Sequence, residues 1–303
     1  MLARLQQGIV AGLLVLVALW GVWSRDLPGW QVAAGFLLFG VGHALVLALE
    51  FLLMHFVNRT DTAPRAGAGA LVRAWFSESV VAPRIFLWRQ PFRSHAWPDR
   101  LHPAAPVAQG RRGVVFVHGF ICNRGVWNPW LQRLERHGRV FAAVNLEPVF
   151  GSIDDYAAVI DAAVSRVAQA TGLPPLLVCH SMGGLAVRAW LRAHQADDRV
   201  WQVVTIGTPH QGAWLARFIR VFNSHQMRID SPWLVQVLRD ETGTRAARFT
   251  CYYSNCDNIV FPASSAMLAG AANIHVPGVA HMAMLFEPRI MDAVLARLED
   301  APA

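Results

Sequence analysis

Leu176-Leu-Val-Cys-His-Ser-Met-Gly-Gly184 reads as a buried strand that runs straight into a turn carrying Ser181. The apolar run has no period-two alternation, which fits a strand covered on both faces, and Leu185-Ala-Val-Arg-Ala-Trp-Leu191 then resumes helical spacing. A strand, a short turn and a helix make a sharp elbow. At its apex a serine stands clear of the sheet above helix amides, and Gly183 and Gly184 let neighbouring chain pass close by. A serine flanked by glycines is also common in ordinary turns, so the flanking sequence has to decide between the two readings.

Upstream, Gly113-Val-Val-Phe-Val-His-Gly-Phe120 is a second buried strand ending in His-Gly-Phe, where a serine nucleophile on the elbow would need a backbone N–H aimed at a developing oxyanion. Phe120 would donate that N–H and Met182 the second, since two preorganised donors stabilise a tetrahedral intermediate. Downstream, Phe249-Thr-Cys-Tyr-Tyr-Ser254 is strand-like and is followed by Asp257; Asn273-Ile-His-Val-Pro277 reads as a last strand and is followed by His281. Ser181, Asp257 and His281 thus stand in the order nucleophile, acid, base, each just after a strand.

With these motifs the chain resembles the α/β-hydrolase superfamily, and more narrowly the bacterial lipases and esterases, over about residues 110 to 300. Four segments carry the resemblance: His118-Gly-Phe120, His180-Ser-Met-Gly-Gly184, Thr205-Ile-Gly-Thr-Pro-His-Gln-Gly212, and the loops of Asp257 and His281. The third is similar to a Gly-Thr-Pro-His-x-Gly stretch that follows the sixth strand in many lipase-like members. One position departs from the pattern: Cys179 stands where the family's Gly-x-Ser-x-Gly has its first glycine. A small residue is needed there because the elbow crowds a neighbouring strand, and cysteine is small enough that a slightly wider turn is expected with no loss of chemistry.

A serine hydroxyl is a poor nucleophile until a base takes its proton, so His281 must reach Ser181 through one ring nitrogen while Asp257 holds the other. Each residue also has a plainer reading. Asp257 lies in Asn255-Cys-Asp-Asn258, good turn chemistry; Asp230 and Asp240 are rival acids, though in a helical, cap-like stretch; and His281 can be an ordinary core histidine. His210 is a nearby distractor, and the motif that contains it is expected to shape the pocket wall or cap a helix. Cys122, Cys179, Cys251 and Cys256 form no paired framework and no Cys-x-x-Cys, so free thiols are expected and no metal or cofactor is called for.

The other large signal is at the start of the chain. Ile9 to Trp23 is an uncharged apolar run, and Trp30 to Val57 is a longer one interrupted only by Gln31, His43, Glu50 and His55. Trp20, Trp23, Arg25 and Asp26 follow the first run in place of a small-residue cleavage site, so the pair reads as a transmembrane helical hairpin with interfacial tryptophans. The first span is short unless Leu2 to Gln7 contributes. Glu50 reads either as an ion or proton site or, more plainly, as a residue facing the first helix or the headgroups. Arg4 and the amino terminus precede the hairpin and Arg59, Arg65 and Arg73 follow it, while Arg25 and Asp26 share the loop. By the positive-inside tendency both outer ends, and the catalytic domain with them, face the cytoplasm of a bacterial inner membrane.

Composition agrees with a partly membrane-embedded chain of 303 residues with 54% hydrophobic residues and a mean hydropathy of +0.32. The formal net charge is +7, but the 27 basic residues are all arginine and form no dense stripe, so anionic lipid headgroups are the expected partner and nucleic acid is not. The expected organisation is a transmembrane hairpin over 1–59, a linker with possible first strands over 60–109, and an α/β-hydrolase domain over 110–303 with a short cap at about 213–248. Within the linker, Arg84-Ile-Phe-Leu-Trp-Arg89 is a candidate for one of an antiparallel strand pair, and in the cap Trp214, Leu215, Phe218, Ile219 and Phe222 make an apolar stripe at helical spacing. The expected function is a membrane-anchored serine hydrolase of carboxylic esters, lipase or esterase in type, acting on ester or lipid substrates. An amidase or acyltransferase with the same triad, or a non-catalytic membrane scaffold, are the alternatives.

Overall fold

The structure is a computed structural model and describes residues 1–102, 110–241 and 243–300. The end of the expected linker, residues 103–109, and the last three residues of the expected hydrolase domain lie outside the described residues. Six strands form one wholly parallel sheet in the order β2-β1-β3-β4-β5-β6, with β1 Val114–Val117, β2 Phe141–Ala143, β3 Leu176–His180, β4 Gln202–Ile206, β5 Phe249–Tyr253 and β6 Ala272–His275. Adjoining strands β1 to β5 are buried along nearly their whole length. Their side chains alternate between two cores. Val115, Val117, Leu177, Cys179 and Val203 face a cluster built on Ala163, Val167 and Trp190, whereas Val114, Phe116, Leu176, Val178 and Val204 face Trp127, Trp130, Ile290 and Val294. Both faces are covered, which is why these strands read as continuous apolar runs.

Two helices, α1 Leu2–Trp23 and α2 Gly29–Val57, are long and apolar enough to cross a membrane, and almost none of either apolar window is buried. They pair through Trp20, whose indole Nε1 donates to the Val32 carbonyl at 3.2 Å. The third helix, α3 Ala68–Pro83, packs along α2, where Trp75 Nε1 donates to the Ala44 carbonyl at 2.8 Å.

Arg84–Arg89 is not a strand. It is a π-helical turn that continues α3 into a short helix at Gln90–Arg93. Pro83 has no N–H to give the Ser79 carbonyl one turn back, and His43 of α2 takes that acceptor instead, Nε2 to O 2.8 Å, so this ring nitrogen carries the proton. Among the described residues the antiparallel element before β1 is reduced to a single bridge, Arg100 with Phe141.

The expected cap stripe is broken in two. Trp214–Phe218 is a 3-10 turn, Phe222–Gln226 a short helix, and Ile219 to Val221 runs extended or irregular between them. Phe218 and Phe222 are 63% and 62% exposed, so the stripe is not a core face. The four cysteines are free and buried.

Candidate active site

Ser181 sits between β3 and the helix Met182–His194 with φ 52° and ψ −129°, a conformation that a non-glycine residue holds only when its surroundings enforce it. Three hydrogen bonds enforce it. The Ser181 N–H donates to the Ile206 carbonyl at the end of β4 (3.0 Å), and the Ser181 carbonyl accepts from Gly184 N–H (3.1 Å) and from Thr208 Oγ1 (2.8 Å). Thr208 belongs to the Gly-Thr-Pro-His stretch, so that motif serves here to clamp the elbow.

The loop after β1 passes beside the serine so closely that a Cβ on Gly119 would lie 2.7 Å from the Ser181 Cβ. Its shape is set by His118, whose Nδ1 donates to the Gly119 carbonyl at 2.9 Å while Nε2 accepts from Leu146 N–H at 3.0 Å. Full burial pushes the His118 pKa down to about 4, which keeps the ring neutral and lets it donate on one side and accept on the other. Phe120 and Ile121 follow, Ile121 with φ 53°. Asn123 closes the loop, its N–H bonded to Gln90 Oε1 at 2.7 Å and its Nδ2 to the Gln90 carbonyl at 3.0 Å.

The histidine loop meets the elbow from the opposite side. His281 and His180 rings lie 4.5 Å apart, and His180 Nε2 donates to the His281 carbonyl at 3.4 Å. His281 Nδ1 lies 2.9 Å from Asp257 Oδ1 and 3.0 Å from Oδ2, with both residues buried. Asp257 Oδ1 also accepts from Ile259 and Val260 N–H at 3.0 and 2.8 Å, which fixes the carboxylate in one orientation. Burial works against a charged His281, but the charge and hydrogen bond of Asp257, with Glu78 and Glu50 farther away, more than offset it and hold the imidazole above its ordinary value. His180, by contrast, is held well below its ordinary value by burial and by repulsion from His281, so it stays neutral.

Of the five residues singled out in the sequence, Phe120 follows β1, Ser181 and Met182 follow β3, Asp257 follows β5 and His281 follows β6, all at the carboxyl-terminal ends of their strands. The rival acids fall elsewhere: Asp230 occupies a left-handed turn and Asp240 pairs with Arg192 at 3.5 Å. His210 itself is set apart from Ser181, Asp257 and His281 by its contacts. It is fully buried, its Nε2 3.0 Å from Thr205 Oγ1 and 3.5 Å from Cys251 Sγ. Glu50 pairs with the hydrolase domain and not with α1: its Oε2 accepts from Asn258 Nδ2 at 2.7 Å. Among the described residues no group of three His, Cys, Asp or Glu side chains is arranged to hold a metal.

Residues 114–285 match the alpha/beta hydrolase family, a span of more than half the chain. The chain belongs to the alpha/beta hydrolase family. The mature form of a Bacillus licheniformis lipase is similar in fold, with a TM-score of 0.57 and 19% identity over 67% of this chain and 96% of that one. Aspergillus fumigatus lipase B is also similar, with a TM-score of 0.57 and 18% identity over 66% of this chain and 56% of the other. At these identities the likeness shows the fold alone. The α1–α3 unit lies outside the residues matched to the alpha/beta hydrolase family, and of the acids that it sends toward the His281 loop Glu50 was singled out in the sequence and Glu78 was not. The available signal was that Glu78 is the single acid in α3.

Proposed function

We propose that this alpha/beta hydrolase is a membrane-anchored serine esterase or lipase that works through an acyl-enzyme on Ser181. The observation that carries the reading is the His281–Asp257 pair, 2.9 and 3.0 Å between Nδ1 and the carboxylate, packed against His180, the residue before a serine held at positive φ on the strand-to-helix elbow. With Nδ1–H committed to Asp257, the bare nitrogen of the neutral ring is Nε2. That nitrogen takes the Ser181 proton as Oγ bonds to the ester carbonyl carbon, and the backbone N–H groups of Phe120 and Met182 receive the carbonyl oxygen as it gains negative charge. The imidazolium, stabilised by Asp257, returns the proton to the alcohol oxygen as the C–O bond breaks. Water then repeats the sequence on the acyl-enzyme, giving the free acid and Ser181–OH.

Apolar surroundings support an acyl substrate. Phe150 packs edge-on against Phe120 at 6.0 Å, and Ile121 and Phe150 are both exposed beside the loop. The two apolar helices supply the anchor, and the arginine distribution supports an orientation with the catalytic part at the cytoplasmic face. Purified protein in detergent, assayed on p-nitrophenyl esters of graded chain length, tests the reading. Turnover that Ser181→Ala reduces by about three powers of ten or more is expected. A variant keeping more than about a tenth of the activity would remove Ser181 from the mechanism.

A further inference from the structure

The N-terminal helices reach into the hydrolase core at the histidine loop. Glu78 of α3 is 1% exposed, and its two carboxylate oxygens accept from the Met282 N–H (Oε1, 2.9 Å) and the Ala283 N–H (Oε2, 3.1 Å). The N–H just before these, that of His281 itself, donates to Asn258 Oδ1 at 3.2 Å, and Asn258 Nδ2 donates in turn to Glu50 of α2 at 2.7 Å. Three consecutive backbone N–H groups, from His281 to Ala283, are thus accounted for by Glu78 and by an asparagine that Glu50 orients. Packing agrees: Phe51 and Met54 of α2 and Ala74 of α3 share one apolar cluster with Cys256, Phe261 and Ala280, which flank Asp257 and His281 in sequence.

We infer that Glu78, together with the Glu50–Asn258 pair, positions His281 from the N-terminal helices, so that the unit that anchors the chain also completes its catalytic site. The inference rests on the Ser181 hydrolase reading. Burying a carboxylate is costly unless it is well paired, and a bidentate grip on two adjacent amides is a use that few other side chains can fill. Burial raises the Glu78 pKa to about 7, against the opposing pull of the Met282 N–H, His281 and the Ala283 N–H. The charged groups that face it are His281 and Asp257, with Glu50 acting on the same imidazole. When His281 takes the serine proton, Glu78 supplies negative charge to the imidazolium as well as a fixed loop. The effect therefore belongs in kcat and in the basicity of His281 more than in substrate binding.

The full chain in detergent micelles, assayed on a short soluble p-nitrophenyl ester, provides the test. Glu78→Ala is expected to lower kcat by about tenfold or more with KM changed by less than about twofold, because a displaced base loses its attack geometry. Glu78→Gln, which keeps one acceptor oxygen, should recover part of that loss. In Glu78→Gln the acidic limb of kcat/KM should move to lower pH, since a charge that raises the His281 pKa is gone. Asn258→Ala should likewise lower kcat at nearly constant KM. Wild-type kcat in both Glu78 variants, or a kcat loss with an unmoved acidic limb, would overturn the inference. Where Glu78→Ala does not unfold cooperatively, Glu78→Gln alone decides on the same two readouts. Ser181-dependent turnover that is indifferent to Glu78 sinks this inference alone, whereas turnover that survives Ser181→Ala sinks the hydrolase reading with it.

Discussion

Asp257 keeps its carboxylate pinned by Ile259 and Val260 N–H while it holds His281, so replacing it by asparagine changes the imidazole's proton arrangement more than its position. Asp257→Asn is expected to lower kcat by about 10³- to 10⁴-fold with little change in Tm, measured by ester turnover and thermal unfolding. His281 must be neutral to act as a base, and its pKa is raised above 6.5, so kcat/KM should fall as pH drops through a value above 6.5. An acidic limb below 6.5 would mean that the charge of Asp257 does not outweigh burial. Glu78 carries the opposite sign for stability. Its native pKa of about 7 exceeds the ordinary 4.5, so the folded chain binds more protons in that window, and its contribution, full below 4.5, is lost as pH rises through about 7. Relative to wild type, Glu78→Gln should therefore gain Tm as pH rises across that window. A variant with higher Tm and lower kcat would separate its role at the site from its role in the fold.

At the level of elements, the elbow depends on close approach. A Cβ on Gly183 would meet the backbone oxygens of Val117 and His118 at 2.3 and 2.6 Å, atoms that cannot swing aside as a side chain would. Gly183→Ala is expected to destabilise by about 1–3 kcal/mol or more and to push β1 and the elbow apart, read as a lower Tm with loss of turnover. The strands and the elbow were legible in the sequence because β1, β3, β4 and β5 are covered on both faces and leave unbroken apolar runs. Arg84–Arg89 was not. Four apolar residues in a row suit a short strand or a helical turn equally well, and what decides between them is His43, 36 positions away from the Ser79 carbonyl it satisfies. The cap stripe failed for a related reason, since helical spacing across Trp214 to Phe222 ignores the extended backbone at Ile219 and Val221. Triad order could be read along the chain, whereas Glu78 and Asn258 join the site only through tertiary contacts.

Across the whole molecule, the hairpin and the sheet domain share an end. The amino-terminal ammonium lies 2.6 Å from Glu147 Oε1, Gln6 Oε1 accepts from Asn123 Nδ2 at 3.4 Å, and Asn58 at the end of α2 accepts from the Ala263 N–H at 3.1 Å. Both outer ends of the hairpin therefore lie on the catalytic side, with the Ser24–Pro28 turn at the far end. With Leu2 and Gln6 buried against the domain, the part of α1 free to enter a bilayer begins at Gln7 and is at the short end of a full crossing, so the domain is expected to rest close against the headgroup layer. A reporter active only in the periplasm, fused after Ala303, should stay silent; a strong signal would reverse the orientation. Removing residues 1–59 should cost the remaining chain its cooperative unfolding, because Phe51, Met54 and Glu50 leave with it. The most direct test of the central claim is mass-spectrometric mapping of the detergent-solubilised full chain after treatment with a fluorophosphonate. The account requires one adduct per chain on Ser181, absent from Ser181→Ala and slowed in Asp257→Asn; no adduct, or one on another residue that survives Ser181→Ala, would contradict it.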